Sequence, residues 1–166
     1  MVKTFAIILA IYILLVQVGL HMIVPHLGFR KKPIPKKLPK ELANQIYKLK
    51  ATTDSDLEYV RACYKYITDH FYCGRLETLT KVQYTFHDVF DHVTGHLPCT
   101  LQNYLLRIML IKSGRFRDED IELETVPFNM IIHQVAKVKV NNKWIYVDPG
   151  GSNLGKEFGE AAKWFG

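Results

Sequence analysis

Three residues of this chain stand in settings that would let them act together on an acyl group. Cys99 lies in His96-Leu97-Pro98-Cys99-Thr100, directly before an apolar helical run. His133 opens the strand-like segment His133-Gln134-Val135-Ala136-Lys137-Val138-Lys139-Val140, and Asp148 closes Lys143-Trp144-Ile145-Tyr146-Val147-Asp148-Pro149. A thiol, an imidazole and a carboxylate are the parts of an activated cysteine nucleophile. The imidazole takes the thiol proton, the carboxylate fixes the imidazole tautomer, and the thiolate attacks a carbonyl carbon. The chemistry expected is cysteine-dependent acyl transfer.

The hairpin between His133 and Asp148 offers a geometric test. Asn141-Asn142 can adopt the positive φ values of a tight turn. A hairpin closed on that pair sets Val140 opposite Lys143 and Val135 opposite Asp148. His133 is two residues from Val135, so it shares a face with Asp148. The two are diagonal neighbours, roughly 7–8 Å apart between backbones and within reach of their side chains. A slip of one residue would separate them onto opposite faces. Trp144 and Tyr146 share that face and are expected to wall the site or pack on the Cys99 helix. Cys99 itself falls in the first turn of its helix, where backbone N–H groups and the helix dipole favour a thiolate. Its own N–H is one oxyanion donor, and Tyr84 and His96 are the alternatives for a second.

The elements that must carry these residues read as helices first and strands afterwards. Leu42, Ile46 and Leu49 suggest a short helix. Ser55-Asp56-Leu57-Glu58 matches a capping box, followed by Leu57, Val60, Tyr64, Ile67 and Phe71 at helical spacing. Residues 72–97 are punctuated by Gly74 and Gly95, with a short helix at Val89-Phe90. Pro98 suits a helix start, Leu101, Leu105, Ile108 and Ile111 define its buried face, and Gly114 is its stop. Strands are expected at 121–126, 132–140 and 143–148, and a short helix around 157–164. This order gives an α+β domain.

The same residues carry a family resemblance. Pro-Cys before the Leu101–Ile111 helix, a His starting a strand, and Lys-Trp-Ile-Tyr-Val-Asp-Pro one hairpin later resemble the transglutaminase-like superfamily of papain-related folds. The likeness covers about residues 55–150, and Trp144 to Pro149 is its most specific part. It implies a transglutaminase-like or papain-like core, with helices packed on a small antiparallel sheet. It also implies Cys99 as nucleophile, His133 as general base and acid, and Asp148 as the orienting carboxylate. The chain departs from many members at Leu97-Pro98, where Gly is common, and at Gln134-Val135, where an aromatic residue is common. The function expected is amide hydrolysis by a peptidase or amidase through a thioester, on a protein or peptide substrate and with no cofactor. The alternatives are a protein transamidase and a non-catalytic binding module on the same fold.

Composition adds the context. Phe5–Val24 is 20 residues without Asp, Glu, Lys or Arg, long enough to span a bilayer core. A signal peptide competes, but no small-residue cleavage site follows. The expectation is one N-terminal transmembrane helix over 1–24, a basic Pro-rich linker over 25–40, and a domain over 41–166. Of 22 basic residues, six lie between Arg30 and Lys40, and the other 16 balance the 16 acidic ones. The net charge of +6 therefore points to lipid headgroups beside the span and not to nucleic acid. The positive-inside rule favours a cytoplasmic domain. Cys63 and Cys73 either pair or remain buried thiols. His87, Asp88, Asp91, His92 and His96 have helical spacings that can bind a metal, but Gly95 and Pro98 interrupt the helix this needs. No metal site is expected there.

Overall fold

The computed structural model describes residues 2–19, 31–81, 83–126 and 133–162. The expected transmembrane helix is not among them. α1 is an α-helix of 11 residues, Val2–Tyr12, after which Ile13–Gly19 winds as a π-helix. Among the described residues no helix is long and apolar enough to cross a membrane. Eleven residues at 1.5 Å each span about 16 Å, roughly half of a ~30 Å hydrocarbon core. The change to i→i+5 bonding ends the regular α-helical rise at Tyr12. Residues 20–24 of the expected span lie outside the described residues. This finding overturns the single-pass anchor, the membrane face inferred from it, and the transmembrane element of the expected fold class. Apolar composition measured the length of the run but not how it winds.

Helices α2 (Lys40–Ala51) and α3 (Asp56–His70) follow. α2 buries Leu42 and Ile46. α3 starts on a complete capping box: the Ser55 hydroxyl accepts the Glu58 N–H, and the Glu58 carboxylate accepts the Ser55 N–H. These bonds satisfy donors that a helix start leaves open, and they hold the Glu58 carboxyl below its ordinary range. Strand β1 (Phe71–Tyr72), helices α4 (Arg75–Thr80) and α5 (Asp88–Asp91), and strand β2 (Gly95–His96) lead to α6, Cys99–Lys112. Every residue of α6 from Cys99 to Leu110 is buried. It packs between α3 and the sheet, so it is the central helix and not a helix with one apolar stripe. Gly114 ends it at φ +76, a left-handed conformation that costs glycine little.

Residues 31–39 run extended and are strapped to α6 and its neighbour. The Tyr104 hydroxyl donates to the Pro33 carbonyl (2.9 Å), Arg107 to the Lys32 carbonyl (3.0 Å), and Lys112 to the Lys36 carbonyl (3.1 Å). The buried Arg107 guanidinium also pairs with Asp118 at 2.7 Å. A charge taken out of water needs such partners.

Strands β3 (Ile121–Val126), β4 (His133–Val140) and β5 (Lys143–Val147) form an antiparallel sheet in the order β3-β4-β5. Asn141 and Asn142 turn the β4–β5 hairpin at φ 50 and 62. The ladder runs from Val140↔Lys143 to Ala136↔Val147, the register the Asn-Asn turn predicts. A 3₁₀ turn, Pro149–Leu154, follows β5. Residues 157–162 form no helix, because a bridge from Tyr146 to Gly159 and the capture of the Ala162 N–H by Asp148 hold this stretch against β5. Residues 163 and 164 of the expected terminal helix lie outside the described residues.

Replacing Asn142 by Val puts a β-branched side chain at a left-handed φ. This substitution is expected to cost about 1–2 kcal/mol in chemical denaturation, while Asn142→Gly is tolerated. Equal stability of the two variants would show that the turn does not set the register.

Candidate active site

β4 and β5 bring His133 and Asp148 together as their register requires. His133 Nε2 lies 3.0 and 2.9 Å from the two Asp148 carboxylate oxygens. Asp148 is 1% exposed, and its carboxylate also accepts the N–H of Gly151 and the N–H of Ala162, both at 2.9 Å. A buried carboxylate so bonded keeps its hydrogen-bonding capacity filled without water. With Nε2–H held by the carboxylate, Nδ1 is the ring nitrogen left to accept a proton.

Cys99 meets this pair at Gly150. A methyl group added at Gly150 would stand 2.9 Å from Cys99 Cβ and 3.3 Å from His133 Cε1. The two side chains therefore converge on one point above the Gly150 backbone. Gly151 is equally constrained, since a methyl there would fall on Asp148 Oδ2. Pro98 sits at the N-cap of α6 and Cys99 at its first position. The Gln134 backbone, from the residue after His133, acts on the Cys99 thiol in the direction that favours its charge. Within α6 the Asn103 side chain donates to the Gln134 carbonyl at 2.7 Å, which locks the start of β4 to the helix.

A second sulfur belongs to the site. The Cys73 and Cys99 thiols act on each other's ionisation. Cys99 pulls Cys73 down to about 7. Cys73, followed by burial, holds Cys99 well above its ordinary range. Two charges cannot coexist in so small a buried space, so the pair shares one. The expected pull of the helix start on a Cys99 thiolate thus has a competitor.

No family model and no curated protein sequence matches the chain. A crystal structure of a TGase matches with a TM-score of 0.51 at 17% identity, over 78% of this chain. The fold is transglutaminase-like. This chain spans 37% of the length of that structure, so the likeness concerns the core alone.

Within the transglutaminase-like fold the remaining expected residues take other places. The Tyr84 hydroxyl donates to the His96 carbonyl at 3.2 Å. The His96 ring faces Thr78 at 3.3 Å and the Gly74 carbonyl at 3.4 Å, and burial pushes it below its ordinary value. Trp144 pairs with Lys139, six residues along β4 from His133 and hence about 20 Å away. Tyr146 pairs with Lys137 and donates to Glu124 at 3.3 Å. His87 and His92 each lie beside an aspartate four residues away, at 3.9 and 3.8 Å. Among the described residues no three His, Cys, Asp or Glu side chains gather to hold a metal ion. Cys63 is buried beneath α6 beside Tyr59, and burial raises its thiol to about 12. All three cysteines are free.

Sequence reasoning missed Cys73, Gly150 and Gly151. The glycines directly follow Asp148-Pro149 and carried a readable signal. Cys73 carried none, because two-residue strands have no period to detect.

Two predictions test the geometry. Gly150→Ala must push Cys99 and His133 apart, and is expected to cost about 1–3 kcal/mol while slowing alkylation of Cys99. An unchanged alkylation rate would mean that the two side chains do not meet there. Alkylation of the Cys73–Cys99 pair by iodoacetamide is expected to rise with a midpoint near pH 7, with Cys63 unlabelled in the folded protein. Mass mapping across pH reads this directly, and a midpoint at the ordinary thiol value would contradict a shared charge.

Proposed function

We propose that this domain is a cysteine-dependent amide hydrolase, a peptidase or amidase, working through Cys99, His133 and Asp148. What supports the reading is the convergence of Cys99 and His133 on Gly150 while a buried Asp148 holds His133 by Nε2. In this mechanism the Cys99 thiol proton passes to His133 Nδ1, and the thiolate attacks the amide carbonyl carbon. The Cys99 N–H at the start of α6 stabilises the oxyanion. His133 returns the proton to the leaving amine as the C–N bond breaks, leaving a thioester on Cys99. A water molecule, giving up its proton to His133, then splits the thioester into an acid and the free thiol. Asp148 keeps the tautomer and stabilises the imidazolium in both halves.

A second reading follows from the printed description of the similar structure as a TGase. An amine taking the place of water would make the reaction a transamidation, with the same thioester.

The test is an acyl-enzyme trap. Wild-type protein is incubated with a peptide-amide library with and without a primary amine, and acyl adducts are mapped by mass. An adduct on Cys99 is expected, and its release as acid or as amide separates hydrolysis from transfer. Cys99→Ala is expected to abolish turnover, and His133→Ala to lower kcat/KM on the order of a thousandfold. Full turnover by Cys99→Ala, or no adduct from any peptide amide, would leave a binding module on this fold.

A further inference from the structure

The mechanism has no use for the thiol of Cys73, yet the fold sets it against the nucleophile. β1 and β2 pair in parallel, with Phe71 facing Gly95 and Tyr72 facing His96. The Leu97 N–H extends the ladder by donating to the Tyr72 carbonyl at 2.9 Å. The end of β1 is thereby carried to the start of α6, Cys73 to Cys99. A second tie comes from the other side of the site. Asn153 Oδ1 accepts the Cys73 N–H at 2.9 Å. Asn153 belongs to the same Pro149–Leu154 turn that lays Gly150 against Cys99. Within this frame the two thiols act on each other, Cys99 pulling Cys73 down and Cys73 pushing Cys99 up.

We propose that Cys73 and Cys99 form a reversible disulfide that withdraws the nucleophile when the protein meets hydrogen peroxide. The formation of the bond stands on the placement of Cys73 and Cys99 by the β1–β2 pairing and the Asn153 tie. Its effect on activity rests on the proposed role of Cys99.

The chemistry balances with peroxide as oxidant. The Cys73 thiolate attacks one peroxide oxygen, the O–O bond breaks, and hydroxide leaves to take up a proton as water. The Cys99 sulfur then attacks the sulfur of the Cys73 sulfenic acid. The Cys99 proton leaves with the displaced hydroxide as a second water, and the S–S bond forms. The two thiols have lost two electrons and two protons, and one peroxide has become two waters. A dithiol reductant reverses the step through a mixed disulfide.

The division of labour follows from exposure and charge. Cys73 is half-buried and is the sulfur a small oxidant reaches, whereas Cys99 is 5% exposed. Cys73 is also the thiol pulled down, to about 7, while Cys99 is pushed up. Cys63 is fully buried on α3 beside Tyr59, with its thiol raised to about 12, and takes no part. Closing a bond between the two sulfurs protects Cys99 from further oxidation, which for an isolated thiol ends in sulfinic and sulfonic acids.

The experiment treats the full chain with hydrogen peroxide at neutral pH and maps the cysteines by mass. The expected product has lost two hydrogens, joins the Cys73 and Cys99 peptides, and leaves Cys63 open to alkylation after unfolding. Dithiothreitol is expected to restore alkylation of Cys99 in full. In Cys73→Ser, the fraction of Cys99 that dithiothreitol recovers after the same peroxide exposure is expected to fall roughly tenfold, with two oxygens added at Cys99. Oxidised wild-type protein whose Cys73 and Cys99 peptides remain unlinked, or whose linkage involves Cys63, would overturn the proposal without any appeal to the variant. A disulfide that forms in a protein making no acyl adduct leaves the switch standing and removes acyl transfer. An acyl adduct on Cys99 with no disulfide does the reverse.

Discussion

The buried carboxylate of Asp148 is the constraint on which the rest of the site depends. It lies where β5 ends, and its oxygens are filled by three donors from three parts of the chain: His133 on β4, Gly151 in the following turn and Ala162 in the tail. An ionised carboxylate at 1% exposure is costly unless so filled. The fold therefore cannot relax one of these partners without stranding the charge. Because Gly151 must close on Asp148, the turn passes Gly150 directly under Cys99. The position of Cys99 relative to His133 follows from the way a carboxylate is satisfied one residue before a proline.

The other half of the site is rigid for a different reason. α6 is buried from Cys99 to Leu110, so its start cannot tilt without moving the core. The sheet holds it on one side through Asn103 and the Gln134 carbonyl, and α3 on the other through the Tyr59 hydroxyl on the Met109 carbonyl. The strap over residues 31–39 reaches it through Tyr104 and the buried Arg107. A catalytic constellation gains from such support, since small displacements of reacting groups are expensive.

The pair of thiols gives the site an electrostatic economy of its own. A helix start and an imidazole invite one negative charge, and two sulfurs compete for it. The same proximity that lets each thiol act on the other is what a disulfide between them would need.

Local chemistry made much of this readable from residues alone. The Asn-Asn turn determined the β4–β5 register through its positive φ values, and with it the facing of His133 and Asp148. Ser55 and Glu58 marked the start of α3, and Pro98 and Gly114 bracketed α6. Each of these signals acts over a few residues, which is why the sequence could carry it. Long-range contacts could not be read in this way. The docking of Cys99 over Gly150, the two-residue parallel pairing that delivers Cys73, and the strapping of residues 31–39 onto α6 join segments with no shared period. The winding of the apolar N-terminal run was hidden for a related reason, since hydropathy counts apolar residues and is blind to the change from α to π bonding at Tyr12. The sequence by itself determined a cysteine at a helix start and a histidine paired with an aspartate across a hairpin. Only the tertiary structure decided that they meet, and that a second sulfur meets them, because burying the Asp148 carboxylate and α6 fixes all four in one place.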